Sequence, residues 1–116
     1  MDITYIILTL AIIVILSGGL YFFLRPKKVE EKYDSGEIRK IYHLNKKGKN
    51  GVEKTYYRSG KLNQEKHFKD GVAHGLAVTV YESGEKYIER KYNHGELTGD
   101  YRVFEKDGTL KEAKTY

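Results

Sequence analysis

Residues 57–60 read Tyr57-Arg58-Ser59-Gly60, and variants of this tetrapeptide recur along the chain. The glycines that close the four versions are equally spaced, at Gly36, Gly60, Gly84 and Gly108. A second glycine follows each of the first three at a constant offset, at Gly51, Gly75 and Gly99. Two glycine series with one common period indicate a repeat protein. The repeat unit is the interval from one glycine of the first series, here called the turn glycines, to the next.

Each unit has the pattern of a β-hairpin. In the second unit, residues 61–68 and 76–81 read as strands, with a loop between them at 69–75. Ser59 and Gly60 are predicted to form a two-residue turn, in which glycine supplies the positive φ and Tyr57 lies opposite Leu62. We expect full units at 33–56, 57–80 and 81–104 and a partial unit at 105–116. The predicted fold is therefore all-β: a single elongated antiparallel meander of about seven strands built from β-hairpin repeats.

The first unit departs slightly from this pattern, because its inner glycine, Gly48, comes one residue later than in the other units. We therefore expect its loop to differ. Strand alternation also predicts two distinct faces for the sheet. One face carries the β-branched residues Thr55, Thr79 and Val103, and the other carries Lys54, Glu65, Glu89 and Arg102.

The chain begins with an apolar segment. Residues 3–24 contain no charged side chain, and a helix of 22 residues would be about 33 Å long, enough to cross a bilayer. We predict a transmembrane helix within residues 1–24 and a basic juxtamembrane linker at 25–32. The alternative is a cleaved signal peptide, for which Ser17-Gly18-Gly19 offers small residues, although its start lacks positive charge.

Charge next to this segment predicts its orientation. Arg25, Lys27 and Lys28 follow the apolar run, whereas only Asp2 precedes it, so the positive-inside rule places the C-terminal domain in the cytoplasm. Residues 25–69 hold 14 basic and 6 acidic side chains, and residues 70–116 hold 7 and 9. The three basic residues after the span are candidates for contact with anionic lipid. Nucleic acid is not expected as a partner, because the distal half is acidic.

The repeat resembles a known family. The motif Tyr57-Arg58-Ser59-Gly60-Lys61-Leu62, an aromatic residue at Phe68 and glycines at Gly71 and Gly75 are similar to the MORN repeat, specifically its bacterial variant. The resemblance covers about residues 33–116. It implies a curved antiparallel sheet that serves as a scaffold or in membrane and protein association. Bacterial relatives are often labelled antitoxin components of toxin–antitoxin systems, and the resemblance extends that label to this chain as an alternative.

No residue pattern predicts chemistry. The serines that precede the turn glycines recur once per unit, as turns require and catalysis does not. His43 and His67 are expected two strands apart, too far to share one metal, and His74 and His94 are expected in solvated loops. The chain has no cysteine, and no phosphate-binding loop occurs. We therefore predict no catalytic, metal or cofactor-binding residue, and no enzyme.

Tyrosines are the best candidates for partner contact. The repeated ones are expected in the core of the sheet, whereas four others are not required by the repeat: Tyr42, Tyr56, Tyr87 and Tyr101. The resulting expectation is a non-enzymatic scaffold, anchored by a single span, that binds protein or membrane. Two alternatives stay open: an antitoxin that neutralises a toxin partner, and an exported protein with a cleaved N-terminus that binds envelope components.

Overall fold

The computed structural model describes Ile3 and residues 25–116. Within residues 25–116 the chain forms nine strands in one antiparallel sheet. They are β1 (Lys27–Lys32), β2 (Ile38–Asn45), β3 (Gly48–Lys49), β4 (Gly51–Tyr56), β5 (Leu62–Lys69), β6 (Val72–Val80), β7 (Lys86–Asn93), β8 (Glu96–Phe104) and β9 (Leu110–Thr115). Neighbours in the sheet follow chain order, except that the short β3 pairs only with β2. The predicted all-β meander is confirmed.

The hairpin turns at the repeated tetrapeptide are longer than predicted. At residues 57–60, the Tyr57 N–H donates to the Lys61 carbonyl at 2.8 Å, and the Gly60 N–H donates to the Tyr57 carbonyl at 2.9 Å. Gly60 has the expected positive φ, 86°, but it closes a three-residue loop followed by a bulge. The predicted pairing of Tyr57 with Leu62 is therefore wrong, and Leu62 lies opposite Tyr56.

The opposite ends of the hairpins are tighter than predicted. Asp70-Gly71 and His94-Gly95 each form a two-residue turn in which both residues have positive φ, as in a type I′ turn. The return strands β6 and β8 consequently start at Val72 and Glu96, inside the predicted loops. The loop predicted at 69–75 is thus wrong, because an extended strand passes through the second glycine of the unit.

The first hairpin differs from the others, as its displaced glycine predicts. Asn45 pairs with Gly48, and Asn50 separates β3 from β4, so that the return strand is divided. The first loop then lies against the second. A Cβ built on Gly71 would be 2.5 Å from the Lys47 carbonyl oxygen, so only glycine fits this backbone approach.

A strand forms where a linker was predicted. Residues 25–32 contain β1, which pairs with β2 along its whole length. Strand β4, Gly51–Tyr56, begins and ends one repeat period after β1, Lys27–Lys32. β1 is therefore the return strand of an earlier unit whose turn is at residues 33–36. This strand and the division of the first return strand account for nine strands in place of about seven.

The predicted transmembrane segment, residues 1–24, lies outside the described residues apart from Ile3. In the part of the chain that the structure describes, no helix has the length and apolar character required to cross a bilayer.

Glycines and aromatic rings of successive units face each other across the sheet. Gly51 pairs with Phe68 and Gly75 pairs with Tyr92, and reciprocal backbone hydrogen bonds join Gly99 to Tyr116. This pairing explains why the second glycine of a unit and the aromatic residue of the next recur with the same period.

Tyrosine hydroxyls join the first residue of each full unit to its last residue. The hydroxyl groups of Tyr33, Tyr57 and Tyr81 donate to backbone carbonyls 23 residues later, at distances of 2.7–2.8 Å. The acceptors are Tyr56, Val80 and Phe104, each of which ends a return strand. Each repeated tyrosine thus ties the turn that begins its unit to the end of the return strand that closes it.

Candidate binding face of the sheet

One side of the sheet, here called the front face, is defined by a row of directly paired residues. Glu53 lies opposite Lys66, Lys66 opposite Ala77, and Ala77 opposite Arg90. Directly paired residues project to the same side, so these four side chains share the front face. The four side chains that are buried within residues 25–116 all belong to this face: Glu53, Ala73, Ala77 and Val103.

Glu53 is a buried carboxylate held by two lysines. It is 6% exposed, forms a close ion pair with Lys49, and lies 3.9 Å from the Lys40 ammonium group. Lys49 also lies 4.6 Å from the centre of the Tyr42 ring and 5.2 Å from that of Phe68. The Lys49 ammonium group therefore lies among a carboxylate and two rings.

The row continues through Lys66 and Arg90, which flank Ala77. Ala77 is fully buried although the sheet has one layer, since the side chains beside it cover its methyl group. The Lys66 ammonium group lies 4.7 Å from the centre of the Tyr92 ring and 5.3 Å from that of Phe68. The Arg90 Nε is buried and has no hydrogen-bond partner among the described residues. Both cations are partly buried.

Two of the four candidate tyrosines lie on the front face. Thr55 lies two residues after Glu53 and therefore faces the front, and so does its partner Lys40. Tyr42 lies two residues after Lys40 and shares its face. Tyr101 lies two residues before the front-face residue Val103 and pairs with Lys114 near the end of the sheet. Burial, together with a hydrogen bond to Glu31, raises the pKa of Tyr42. The Tyr101 ring meets Tyr116 edge-on, with centroids 6.3 Å apart.

The other two candidates lie on the back face. Ile88 lies opposite Thr79 and faces the front, so the preceding residue, Tyr87, faces the back. The Tyr87 ring lies 4.5 Å from the Tyr81 ring, measured between centroids. Tyr56 lines a shallow hollow of about 360 Å³ with Ile38, Ile41 and Gly60. The structure therefore divides the four tyrosines into two pairs on opposite sides of the sheet.

The back face has the charge pattern that strand alternation predicted. Lys54 pairs with Glu65 at 3.3 Å, and Arg102 lies 3.7 Å from Glu89. Arg102 also donates to Asp100 at 2.7 Å, and this hydrogen bond lowers the pKa of the Asp100 carboxyl. These back-face cations and carboxylates pair with each other.

Arg25, Lys27 and Lys28 lie at one corner of the sheet. Arg25 and Lys27 line a hollow of about 530 Å³ together with Lys46 and Lys47 of the first loop. Arg25, Lys27 and Lys28 also line a second hollow, of about 620 Å³, with His43. The structure thus brings the candidate membrane-surface residues together with two loop lysines. These five basic residues are called the basic corner below: Arg25, Lys27, Lys28, Lys46 and Lys47.

The two histidines that were expected in loops meet each other, although His74 lies in strand β6 and only His94 lies in a turn. The rings of His74 and His94 lie 4.8 Å apart, and the His94 N–H donates to His74 Nδ1 at 3.2 Å. His67 Nδ1 lies 2.8 Å from the Leu76 carbonyl oxygen, at the bulge where one residue of β5 faces three of β6. The contact between His74 and His94 joins neighbouring units, whereas the contact of His67 with Leu76 lies within one unit.

Sequence reasoning missed Glu53, Lys66 and Arg90. A signal for the cations was present, because the residue six positions after each turn glycine is basic in three of four units: Lys66, Arg90 and Lys114. Each lies two residues before an aromatic residue and therefore shares its face. No comparable pattern marks Glu53, since Ala77 and Tyr101 replace it in later units.

The hairpin centred on Tyr57 has a known counterpart. Residues 49–70 match the family model of the MORN repeat variant. The matched segment contains β4, the turn at residues 57–60 and β5. The other three turns have the same hydrogen bonds, so the same type of hairpin recurs along the sheet. No curated protein and no solved structure matches the chain.

Proposed function

We propose that this protein is a non-enzymatic scaffold that binds a protein partner on the front face of its sheet. The observation that supports the proposal most is the row of partly buried rings and cations on that face. Aromatic residues and arginine are enriched at the centres of protein interfaces. The match of residues 49–70 to the MORN repeat variant also supports a binding role.

Membrane attachment is the second part of the proposal. The uncharged residues 3–24 would form a single-pass anchor, and the sheet would lie on the cytoplasmic side. The basic corner supports this arrangement, because it collects five cations beside the start of the sheet. Contact with anionic headgroups would contribute about 1 kcal/mol for each close charge.

The binding proposal is tested by capture with matched variants. Full-length protein with a C-terminal tag is crosslinked in its source cells, extracted in detergent and purified for wild type, Tyr101→Ala and Tyr87→Ala. We expect Tyr101→Ala on the front face to lose the crosslinked partner and Tyr87→Ala on the back face to keep it. Equal retention by both variants, at unchanged melting temperature, would contradict a front-face scaffold.

The nature of the complex separates the scaffold from the antitoxin alternative. A tight 1:1 complex whose partner arrests growth when expressed alone would identify the partner as a toxin. A partner without such an effect would support a general scaffold.

The anchor is tested separately, by reporter fusions after Tyr116 and by the mass of the extracted protein. A full-length mass and a cytoplasmic reporter would support the anchored scaffold. A mass that begins near Gly18, or an exported reporter, would favour the exported alternative with envelope partners.

A further inference from the structure

Lys66 and Arg90 differ from the other partly buried cations of the sheet. Five lysines and arginines are partly buried within residues 25–116, and three of them have carboxylate partners: Lys40, Lys49 and Arg102. Lys66 and Arg90 form no ion pair with a carboxylate of residues 25–116, and the Arg90 Nε is buried without an acceptor. A partly desolvated cation without an anion is costly, so an acceptor from elsewhere would stabilise these two groups.

The preceding unit shows what this acceptor would be. Ala77 stands one repeat period after Glu53, on the same face and in the same row. In the earlier unit the carboxylate of Glu53 lies between the ammonium groups of Lys40 and Lys49. In the later unit Lys66 and Arg90 flank a methyl group instead. Lys40 and Lys49 are not the repeat equivalents of Lys66 and Arg90, since one period places Gln64 and Ala73 there. Both positions of the row nevertheless have two front-face cations nearby, and only the earlier one supplies a carboxylate.

We propose that Lys66 and Arg90 bind a carboxylate from an acidic segment of a protein partner, placed above Ala77. This inference rests on the proposed scaffold function and specifies the chemistry of its partner. The two cations lie on β5 and β7, roughly 9.6 Å apart at the backbone, and their long side chains reach toward the space above β6. The guanidinium group supplies two parallel N–H donors that match a carboxylate, and the lysine adds a third.

The surroundings of the two cations favour a peptide over a membrane surface. The rings of Phe68 and Tyr92 stand beside Lys66 and offer apolar contact to side chains next to an acidic residue. Exposed lysines and arginines suited to a charged lipid surface lie elsewhere, at the basic corner. The two rings beside Lys66 and the buried Arg90 Nε suit recognition of one acidic side chain.

The test uses fluorescein-labelled hexaglutamate and the full-length protein in neutral detergent, with binding followed by fluorescence anisotropy. Arg90→Gln and Lys66→Gln are each compared with Lys91→Gln and Lys69→Gln, which remove the same charge from exposed neighbouring positions. We expect the two front-face variants to bind about tenfold more weakly, which corresponds to loss of one charge-assisted contact. We expect the two controls to change affinity less than about twofold, because exposed charges contribute little.

Equal weakening by Arg90→Gln and Lys91→Gln would overturn the proposal, since binding would then follow net charge alone. Ala77→Glu provides a second test, because it would restore the carboxylate that Glu53 supplies one unit earlier. We expect this variant to lose hexaglutamate binding while keeping its melting temperature, and undiminished binding by a folded Ala77→Glu protein would contradict the site. Should it not fold, the comparison of Arg90→Gln with Lys91→Gln decides.

Other anions serve as competing outcomes. Binding is also measured for inorganic phosphate and for vesicles of neutral lipid with added phosphatidylglycerol. If binding of either depends on Arg90 while binding of hexaglutamate does not, the choice of a carboxylate is overturned. The proposed function is tested independently by Tyr101→Ala. Loss of the captured partner in Tyr101→Ala, with no effect of Arg90→Gln on hexaglutamate, would leave the scaffold intact and reject this inference alone.

Discussion

The Tyr57 hydroxyl donates a hydrogen bond to the Val80 carbonyl at 2.7 Å, and this contact joins one turn to the end of the next return strand. The same contact links Tyr81 to Phe104. The corresponding residue of the fourth turn is Glu105, and no further return strand follows within the described residues to offer a carbonyl. A tyrosine thus occurs at the three turns whose following return strand the structure describes.

Replacing Tyr57 with phenylalanine removes this hydrogen bond and keeps the ring. The Val80 carbonyl is then left without its donor in a partly buried place, so we expect a loss of about 1 kcal/mol in unfolding free energy. For a domain of this size, the melting temperature should fall by about 4–8 °C. Thermal unfolding followed by circular dichroism measures the change. Tyr87→Phe is the matched control, and an equal fall there would contradict a role for the Tyr57 hydroxyl.

Glycine positions at the two ends of the hairpins should respond differently to alanine. Gly60 has φ of 86° and open space around it, so Gly60→Ala should cost about 1–2 kcal/mol of unfolding free energy through backbone strain alone. Gly71 has φ of 91°, and its new Cβ would also meet the Lys47 carbonyl oxygen at 2.5 Å. We expect Gly71→Ala to destabilise the sheet more than Gly60→Ala in urea unfolding. The reverse order would argue against close packing of the first two loops.

Removal of the Glu53 carboxylate should be more costly than removal of an exposed one. Glu53→Ala leaves Lys40 and Lys49 partly buried without their anion, and we expect a loss of about 2–3 kcal/mol in unfolding free energy. Glu65→Ala is the control on the other face of the adjacent strand, where an exposed pair contributes at most about 1 kcal/mol. Urea unfolding of both variants measures the difference. Equal losses of unfolding free energy in the two variants would show that burial does not strengthen the ion pairs of Glu53 with its lysines.

Hydrogen bonds between serine and glutamate at two turns predict that the protein loses stability in acid. The Ser35 and Ser83 hydroxyls donate to the carboxylates of Glu37 and Glu85, and each hydrogen bond lowers the pKa of its carboxyl. A carboxyl whose pKa is lower in the folded state contributes stability above its unfolded pKa. That contribution is lost as pH falls from about 4.3 through the folded pKa.

We therefore expect the melting temperature to fall more steeply below about pH 4.3 in the wild type than in the double variant Glu37→Gln with Glu85→Gln. Melting curves between about pH 6 and pH 3 measure the two slopes. Identical slopes would show that these turn carboxylates do not contribute to acid sensitivity.

The period of the glycines was sufficient to predict the sheet, because each turn requires a residue with positive φ and Gly60 and its equivalents supply it. Alternation then predicted the back face, where Lys54 meets Glu65. The turn length could not be read in the same way, since Ser59-Gly60 suits both a two-residue and a three-residue loop. Strand β1 was missed because basic residues near an apolar segment also fit a linker.

The front-face site was missed for a different reason. Lys66 and Arg90 look like solvated charges in the sequence, and only the pairing of β5 and β7 with β6 shows them flanking Ala77. Their lack of a carboxylate depends on which strands are neighbours, and strand neighbours follow from the register of the whole sheet.

The central claim is that the front face, and not the back face, meets a protein partner. The most direct measurement places a photocrosslinking amino acid at Tyr42 or Tyr101 on the front, and at Tyr56 or Tyr87 on the back, in full-length protein irradiated in its source cells. The proposed scaffold predicts a discrete crosslinked complex from the two front positions and none from the two back positions. Crosslinking from the back positions alone, or equally from all four, would contradict it.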